Sequence, residues 1–190
     1  FDTANPPASA QTQLYDFLVQ ARSENPQIDI ILIGGNHDSA ARLDAPASLL
    51  KSLGISIVGG IQKNSDGSID WQRLVIPLHN KQNEISAWCG AMPFLRHSDL
   101  PVQTGENDSL INSVKSRYTE LITVLKSKAS NDEALLLTGH CYMVGGNLSE
   151  LSERKILGGN QHALPVDLFP DEISYTALGH LHCAQSVGDH

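Results

Sequence analysis

Thiols are scarce in this sequence. Cys89, Cys141 and Cys183 are the three cysteines in 190 residues, scattered and odd in number, with no Cys-x-x-Cys pair. That usage argues against a zinc knuckle or a disulfide framework and points to a reducing compartment, the cytoplasm. Long apolar runs are missing too: stretches such as 28–33 and 134–137 fall far short of the roughly 20 residues that cross a bilayer, so no membrane partner is expected. The chain opens Phe-Asp-Thr-Ala-Asn-Pro-Pro, with no basic region leading into an apolar one, so no signal peptide is visible. The lack of an initial Met raises the expectation of a fragment. Positive charge is also in short supply. With Lys+Arg 13 against Asp+Glu 21, the formal net charge is −8, which argues against a protein that coats DNA by bulk electrostatics. A nuclease stays open, because bound divalent cations and a partner can supply positive field locally.

What is present fits one globular domain, with 41% hydrophobic and 18% charged residues. Leu14, Phe17, Leu18 and Ala21 recur at helical spacing and predict a helix over 9–24 with those residues on one face. Residues 28–33 read as a buried strand stopped by Gly34-Gly35. A second helix is predicted over 46–53, with Pro46 in its first turn and Gly54 at its end, followed by a short strand at 55–58. Asn64-Ser65-Asp66-Gly67 is a turn signal, flanked by Ile61 and by Leu74-Val75-Ile76, and 85–91 continues a strand pattern, so this block reads as hairpin strands and not βαβ units. A long core-packing helix is predicted from Asp108, its N-cap, to Lys128, with Leu110, Val114, Leu121 and Leu125 on one stripe. Strands follow at 134–138 and 174–178. No internal repeat interrupts this order, which predicts a mixed α/β layered sandwich.

Three strands end in Gly followed closely by ligand-type residues, where α/β sheets place their sites. The first end is Gly34-Gly35-Asn36-His37-Asp38-Ser39. An amide oxygen is a hard neutral ligand for a divalent cation, and an adjacent imidazole can donate a proton; the bland alternative is a Gly-Asn turn with a surface His. The second is Thr138-Gly139-His140, where a lone His taken by itself is more often structural than a ligand. The third is Gly179-His180-Leu181-His182, which either addresses two neighbouring metals or places one His inside and one outside. Jointly, Asn36, His140, His180 and His182 at the ends of strands in one predicted sheet can converge. Such N and O donors without thiolates favour Mn, Fe, Zn or Mg.

Gly-Asn-His-Asp at 35–38, Gly139-His140 and Gly179-His180-Leu181-His182 resemble the signature of the calcineurin-like metallophosphoesterases. Phe1-Asp2-Thr3 with Pro6-Pro7, Pro93-Phe94-Leu95-Arg96 and Ala177-Leu178 before the last motif are similar to the SbcD-type DNA-repair nuclease subunits within that superfamily, as are Gly158-Gly159, Val166 and Phe169-Pro170. The resemblance implies a four-layer α/β/β/α sandwich, incomplete at its N-terminus, with residues 1–190 forming one nuclease domain truncated at both ends. It implies two divalent ions, manganese first with iron or magnesium as alternatives. Asn36, His140 and His180 would hold one ion and His182 the other. His37 would be the catalytic histidine, with Asp38 supporting it. The implied partners are DNA, an SbcC-like coiled-coil ATPase and a second copy of the protein.

One departure matters. The family carries an Asp-x-His strand and a Gly-Asp strand end ahead of Phe-Asp-Thr, and neither is present here, so Asp2 is not the bridging ligand. The expectation for these 190 residues is weak metal binding and poor catalysis. The family also continues past the last motif with a further strand pair and a capping domain. His190 reads as incidental, and His79, His97 and His162 as surface or structural. Cys141 and Cys183, each next to a signature His, read as packing residues. Arg96 either meets backbone phosphates or caps and pairs with an acid such as Asp99. Two other functions compete with a DNA exonuclease and hairpin endonuclease: a phosphatase for small phosphoesters, and a non-catalytic scaffold.

Overall fold

The computed structural model describes residues 1–101, 110–130, 132–147 and 163–187. Helix α1 (Ala8–Glu24) starts where Pro7 offers its carbonyl to Ala10 and Gln11. Strand β1 (Ile30–Ile33) follows, then two one-turn helices, α2 (Ala40–Asp44) and α3 (Ala47–Lys51), and strand β2 (Ile55–Val58). β1 and β2 pair in parallel, Ile30 against Ile55 through Ile33 against Val58, as a two-stranded sheet. A second sheet has the order β3 (Val75–His79), β4 (Ile85–Met92), β5 (Ala134–His140), β6 (Ile173–Gly179). Helix α4 (Leu110–Lys128) lies between β4 and β5 in the chain. No helix among the described residues is long and apolar enough to cross a membrane.

The predicted elements are largely there, with differences that have physical causes. β4 pairs antiparallel with β3 but parallel with β5, so it closes one hairpin and opens a strand–helix–strand crossover through α4. The block is therefore not purely hairpin strands. The hairpin turn itself falls at residues 80–84, where the Asn80 side chain accepts from the Gln82 and Glu84 amides and Asn83 takes a positive φ of 62°. The turn at Asn64-Ser65-Asp66-Gly67 forms, with Gly67 N–H to the Asn64 carbonyl at 3.0 Å, but closes only the isolated bridge Lys63–Ile69. α2 was not expected. Phe17, assigned to the buried face of α1, is 64% exposed, while Leu18 is buried against Leu43, Leu50, Ile55 and Ile57. Asp108, Gly158, Gly159, His162 and His190 lie outside the described residues.

The larger core sits under α4. Tyr118, Leu121 and Leu125 are buried with Ala91, Met92 and Leu137 of β4 and β5. Gly90 and Gly139 let the helix come close: a β-carbon at Gly139 would stand 2.4 Å from the Tyr118 hydroxyl oxygen. That hydroxyl lies against the Cys141 thiol and meets no partner in good hydrogen-bond geometry among the described residues. Burial, and then the neighbouring thiol, hold its pKa well above the usual tyrosine value.

This contact predicts a non-additive pair. Gly139→Ala should destabilise by about 2 kcal/mol through overpacking. Tyr118→Phe removes the oxygen in the way and an unsatisfied polar group, so alone it should change stability by less than about 1 kcal/mol. In a double-mutant cycle read by urea denaturation, the double variant should recover about 1 kcal/mol or more of the Gly139→Ala loss.

Candidate metal centre and catalytic loop

The two sheets are tied together at the ends that carry the motifs. Past β1, the Gly34 N–H continues the pairing to the Val58 carbonyl at 2.9 Å, while its own carbonyl accepts from the Phe94 N–H at 2.8 Å, just beyond β4. β1 thus belongs to the two-stranded sheet, and β5 and β6 to the other. The expectation of one common sheet is corrected: the motif residues meet across two sheets, through a seam of backbone bonds.

Gly35 is the point of closest approach. A β-carbon there would lie 2.7 Å from Cε1 of His140, so any larger residue would push that imidazole aside. Next in the chain, the Asn36 Oδ1 stands 3.0 Å from the His140 Nε2 across 104 residues of sequence. The β5–β6 register sets His140 opposite Gly179, which brings the following His180 alongside, with ring centroids 5.3 Å apart and planes at 73°. Phe94 packs its edge on His140 at 6.1 Å, and Tyr142 on His180 at 6.4 Å. Burial pushes the His140 pKa down to about 4, helped by His180, His37 and His182 and opposed by Asp38. His140 is therefore a neutral imidazole at pH 7, the form that donates a lone pair to a cation.

The loop between Gly35 and Asp38 is closed on itself. Asp38 Oδ2 accepts from the Gly35 N–H and Oδ1 from the Phe1 nitrogen, each at 2.8 Å, and the Asp38 N–H bonds the Gly35 carbonyl at 3.2 Å. Both carboxylate oxygens are so engaged with backbone nitrogens, and any support Asp38 gives His37 runs through the shape of the loop. His37 Nε2 is buried and has no hydrogen-bond partner among the described residues. A buried ring nitrogen without a partner costs about 1–3 kcal/mol, which calls for an explanation. His180 adds a second local cost, with φ at +96°, a region unfavourable to a residue with a β-carbon.

Asn36, His140 and His180 are thus brought into contact, and His37, Asp38 and His182 act on His140 electrostatically. Among the described residues, no three His, Cys, Asp or Glu side chains stand together as a ready cage for an ion. The Asn36 amide oxygen and the His140 and His180 imidazoles have the donor chemistry for a divalent cation of the manganese, iron or zinc type, and no carboxylate is among these three. A cavity of about 400 Å³ opens beside His140 and His180, walled by Phe94, Leu95, Tyr118, Tyr142 and Leu164. His79 is structural, 3.2 Å from the Asp29 carboxylate, and His97 is exposed. Cys141 packs inward, its pKa raised to about 11 by burial. Cys183, read as a packing residue, is instead exposed. Sequence reasoning had no sign of Tyr118 at Gly139, nor of the bond from Arg96 to Asp38 taken up below. Both join residues far apart in the chain.

Curated relatives match nearly the whole chain. It is 38% identical over 191 residues to the SbcD component of nuclease SbcCD from Rhodobacter capsulatus, covering 98% of this chain and 47% of that protein. Identity is 29% to the protein of that name in Bacillus subtilis, over 98% of this chain and 46% of the relative. For the one in Escherichia coli (strain K12) it is 28%, over 99% and 45%. The chain spans about half the length of these curated relatives. No protein-family model matches it.

The φ of His180 gives a direct test of stored strain. His180→Gly and His180→Ala both remove the imidazole, but only Gly relaxes the backbone. The Gly variant is expected to be the more stable of the two by about 1 kcal/mol in equilibrium urea denaturation. Equal midpoints would mean that this backbone carries no strain.

Proposed function

Because this chain is homologous over 98% of its residues to the SbcD component of a nuclease SbcCD, we propose that it is part of the nuclease domain of a metal-dependent phosphodiesterase of that type. On this reading residues 1–190 belong to a four-layer α/β/β/α sandwich that continues on both sides. The whole protein is a DNA exonuclease and hairpin endonuclease of double-strand-break repair and recombination. It works in the cytoplasm as a homodimer with an SbcC-like coiled-coil ATPase. The observation that supports the reading most is the meeting of Asn36 Oδ1 and His140 Nε2 at 3.0 Å, with His180 alongside.

Asn36, His140 and His180 are the residues for one divalent ion and His182 for the other, with manganese the first candidate. Bound there, such ions supply Lewis acidity to the phosphodiester and an activated water. The chain itself contributes position and protons. Gly35 admits His140 close to the loop, and Asp38 closes the loop so that His37 is carried at a fixed place. The unpartnered Nε2 of His37 is the atom that hydrogen-bonds, or gives a proton to, a phosphate oxygen as charge develops on it.

One observation favours a second reading, a non-catalytic scaffold, for these residues taken by themselves: no three acidic, thiol or imidazole side chains among those described are disposed to hold one ion. Manganese titration separates the two. The full-length protein should bind two ions, and the 190-residue chain should bind one weakly or none.

The full-length protein is expected to cleave duplex DNA with manganese, and His37→Ala should lower kcat by about 100-fold or more while the metal still binds. Robust metal-dependent cleavage by that variant would remove His37 from the mechanism. Faster turnover of a nucleotide monoester than of duplex DNA would favour a small-phosphoester phosphatase.

A further inference from the structure

We propose that Arg96 is a positioning residue for the His37 loop, locking it through the Asp38 carbonyl, and not a reader of DNA phosphates. This rests on the role of His37 proposed above. Arg96 follows Pro93 and Phe94 at the exit of β4, and its Nη2 donates to the Asp38 carbonyl oxygen at 2.8 Å, across 58 residues of sequence. A charged donor on a half-buried carbonyl is about twice as strong as a neutral hydrogen bond. The other end of Arg96 is fixed as well. Its N–H donates to Asp99 Oδ2 at 2.8 Å, and the Asp99 N–H returns to the Arg96 carbonyl at 2.9 Å. Asp99 is buried, and its carbonyl accepts from Nε of Arg117 on α4 at 2.7 Å.

The guanidinium also passes close to the end of β2, since a β-carbon on Gly60 would meet Nη1 at 3.7 Å. Arg96 thus spans from the α4 side of the molecule to the loop that carries His37. The carboxylate of Asp38 closes the loop from within, and Arg96 holds its far end from outside. Asp99 has no ion pair with this guanidinium among the described residues; the acid is used to shape the backbone instead.

The test uses the full-length protein with manganese. Arg96→Gln should lower kcat by about 10- to 100-fold, the order expected when a reacting group is misplaced, with KM for DNA unchanged. Arg96→Lys keeps a charged donor and should recover part of that loss. The slope of DNA affinity against salt should match the parent in both. Hydrogen exchange gives a readout that needs no cleavage: the Gly35 and Asp38 amides should exchange at least about 10-fold faster in Arg96→Gln, and at an intermediate rate in Arg96→Lys. If Arg96→Gln fails to fold, the Lys variant against the parent carries the comparison. A raised KM with intact kcat, and a salt slope reduced by about one, would make Arg96 a phosphate contact and overturn the proposal. Unchanged exchange at Gly35 and Asp38 would overturn it too. Faster exchange in a protein whose parent cuts no DNA would uphold the lock and count against the nuclease reading alone.

Discussion

Everything at the candidate centre depends on a polar seam between two sheets. Asn36 reaches His140 only because Gly34 is bonded on both sides, to Val58 within its own sheet and to Phe94 beyond β4 of the other. Gly34 and Val58 are buried, and leaving either of these bonds unmade costs about 1–3 kcal/mol. Gly35 then brings the loop against the imidazole with no side chain between them.

The local costs collect at the same place. His180 bears a positive φ, His37 has a buried nitrogen without a partner, and the Tyr118 hydroxyl sits against Gly139 and Cys141 with its hydrogen bond unmet. Elsewhere among the described residues buried side-chain polar atoms are answered. Asp44 accepts from Gly59 and Arg73, Glu133 from Trp88 and Ser130, and Asp29 from the His79 backbone. A fold that satisfies its remote polar groups while tolerating strain at one end of its strands has spent stability where side-chain placement mattered more.

How much of this could be read from the sequence depends on the range of the interaction. β2 was found at its true bounds because Ile55, Ile57 and Val58, bracketed by Gly54 and Gly59, are a local signal. β5 was found from its apolar run at 134–137 and β6 from the β-forming stretch before Gly179, and with them the Gly-His endings. α2 was missed because five residues, Ala40–Asp44, make little more than one turn and show no period. Which strands share a sheet was missed, β1 having been grouped with β5 and β6, because periodicity states that a strand is buried, not which strand it pairs with. β4 pairs with a hairpin neighbour on one side and, across α4, with β5 on the other. Phe17 was misplaced for a related reason: helical spacing does not say where the buried stripe ends, and α1 turns Leu18, with Leu14 and Tyr15 beside it, to the core and leaves Phe17 exposed. The motif residues themselves were legible as types at strand ends. That Asn36 meets His140, and that Arg96 meets Asp38, follows only from register.

The charge of the chain bears on how a phosphodiester could be held. With a net charge of −8, the molecule as a whole repels a nucleic-acid backbone. His140 is held neutral by burial and by the imidazoles around it, so it brings no cation to the site at neutral pH. Arg96, a cation on the wall of the adjoining cavity, is engaged with the Asp38 carbonyl. The described side chains around His140 therefore supply donors and shape but little positive charge. On the proposed reading, phosphate charge must then be met by bound divalent ions and by surfaces outside this chain. The neutral His140 imidazole and the Asn36 amide oxygen suit that division of labour: they leave an ion its full charge, where thiolates or several carboxylates would cancel it.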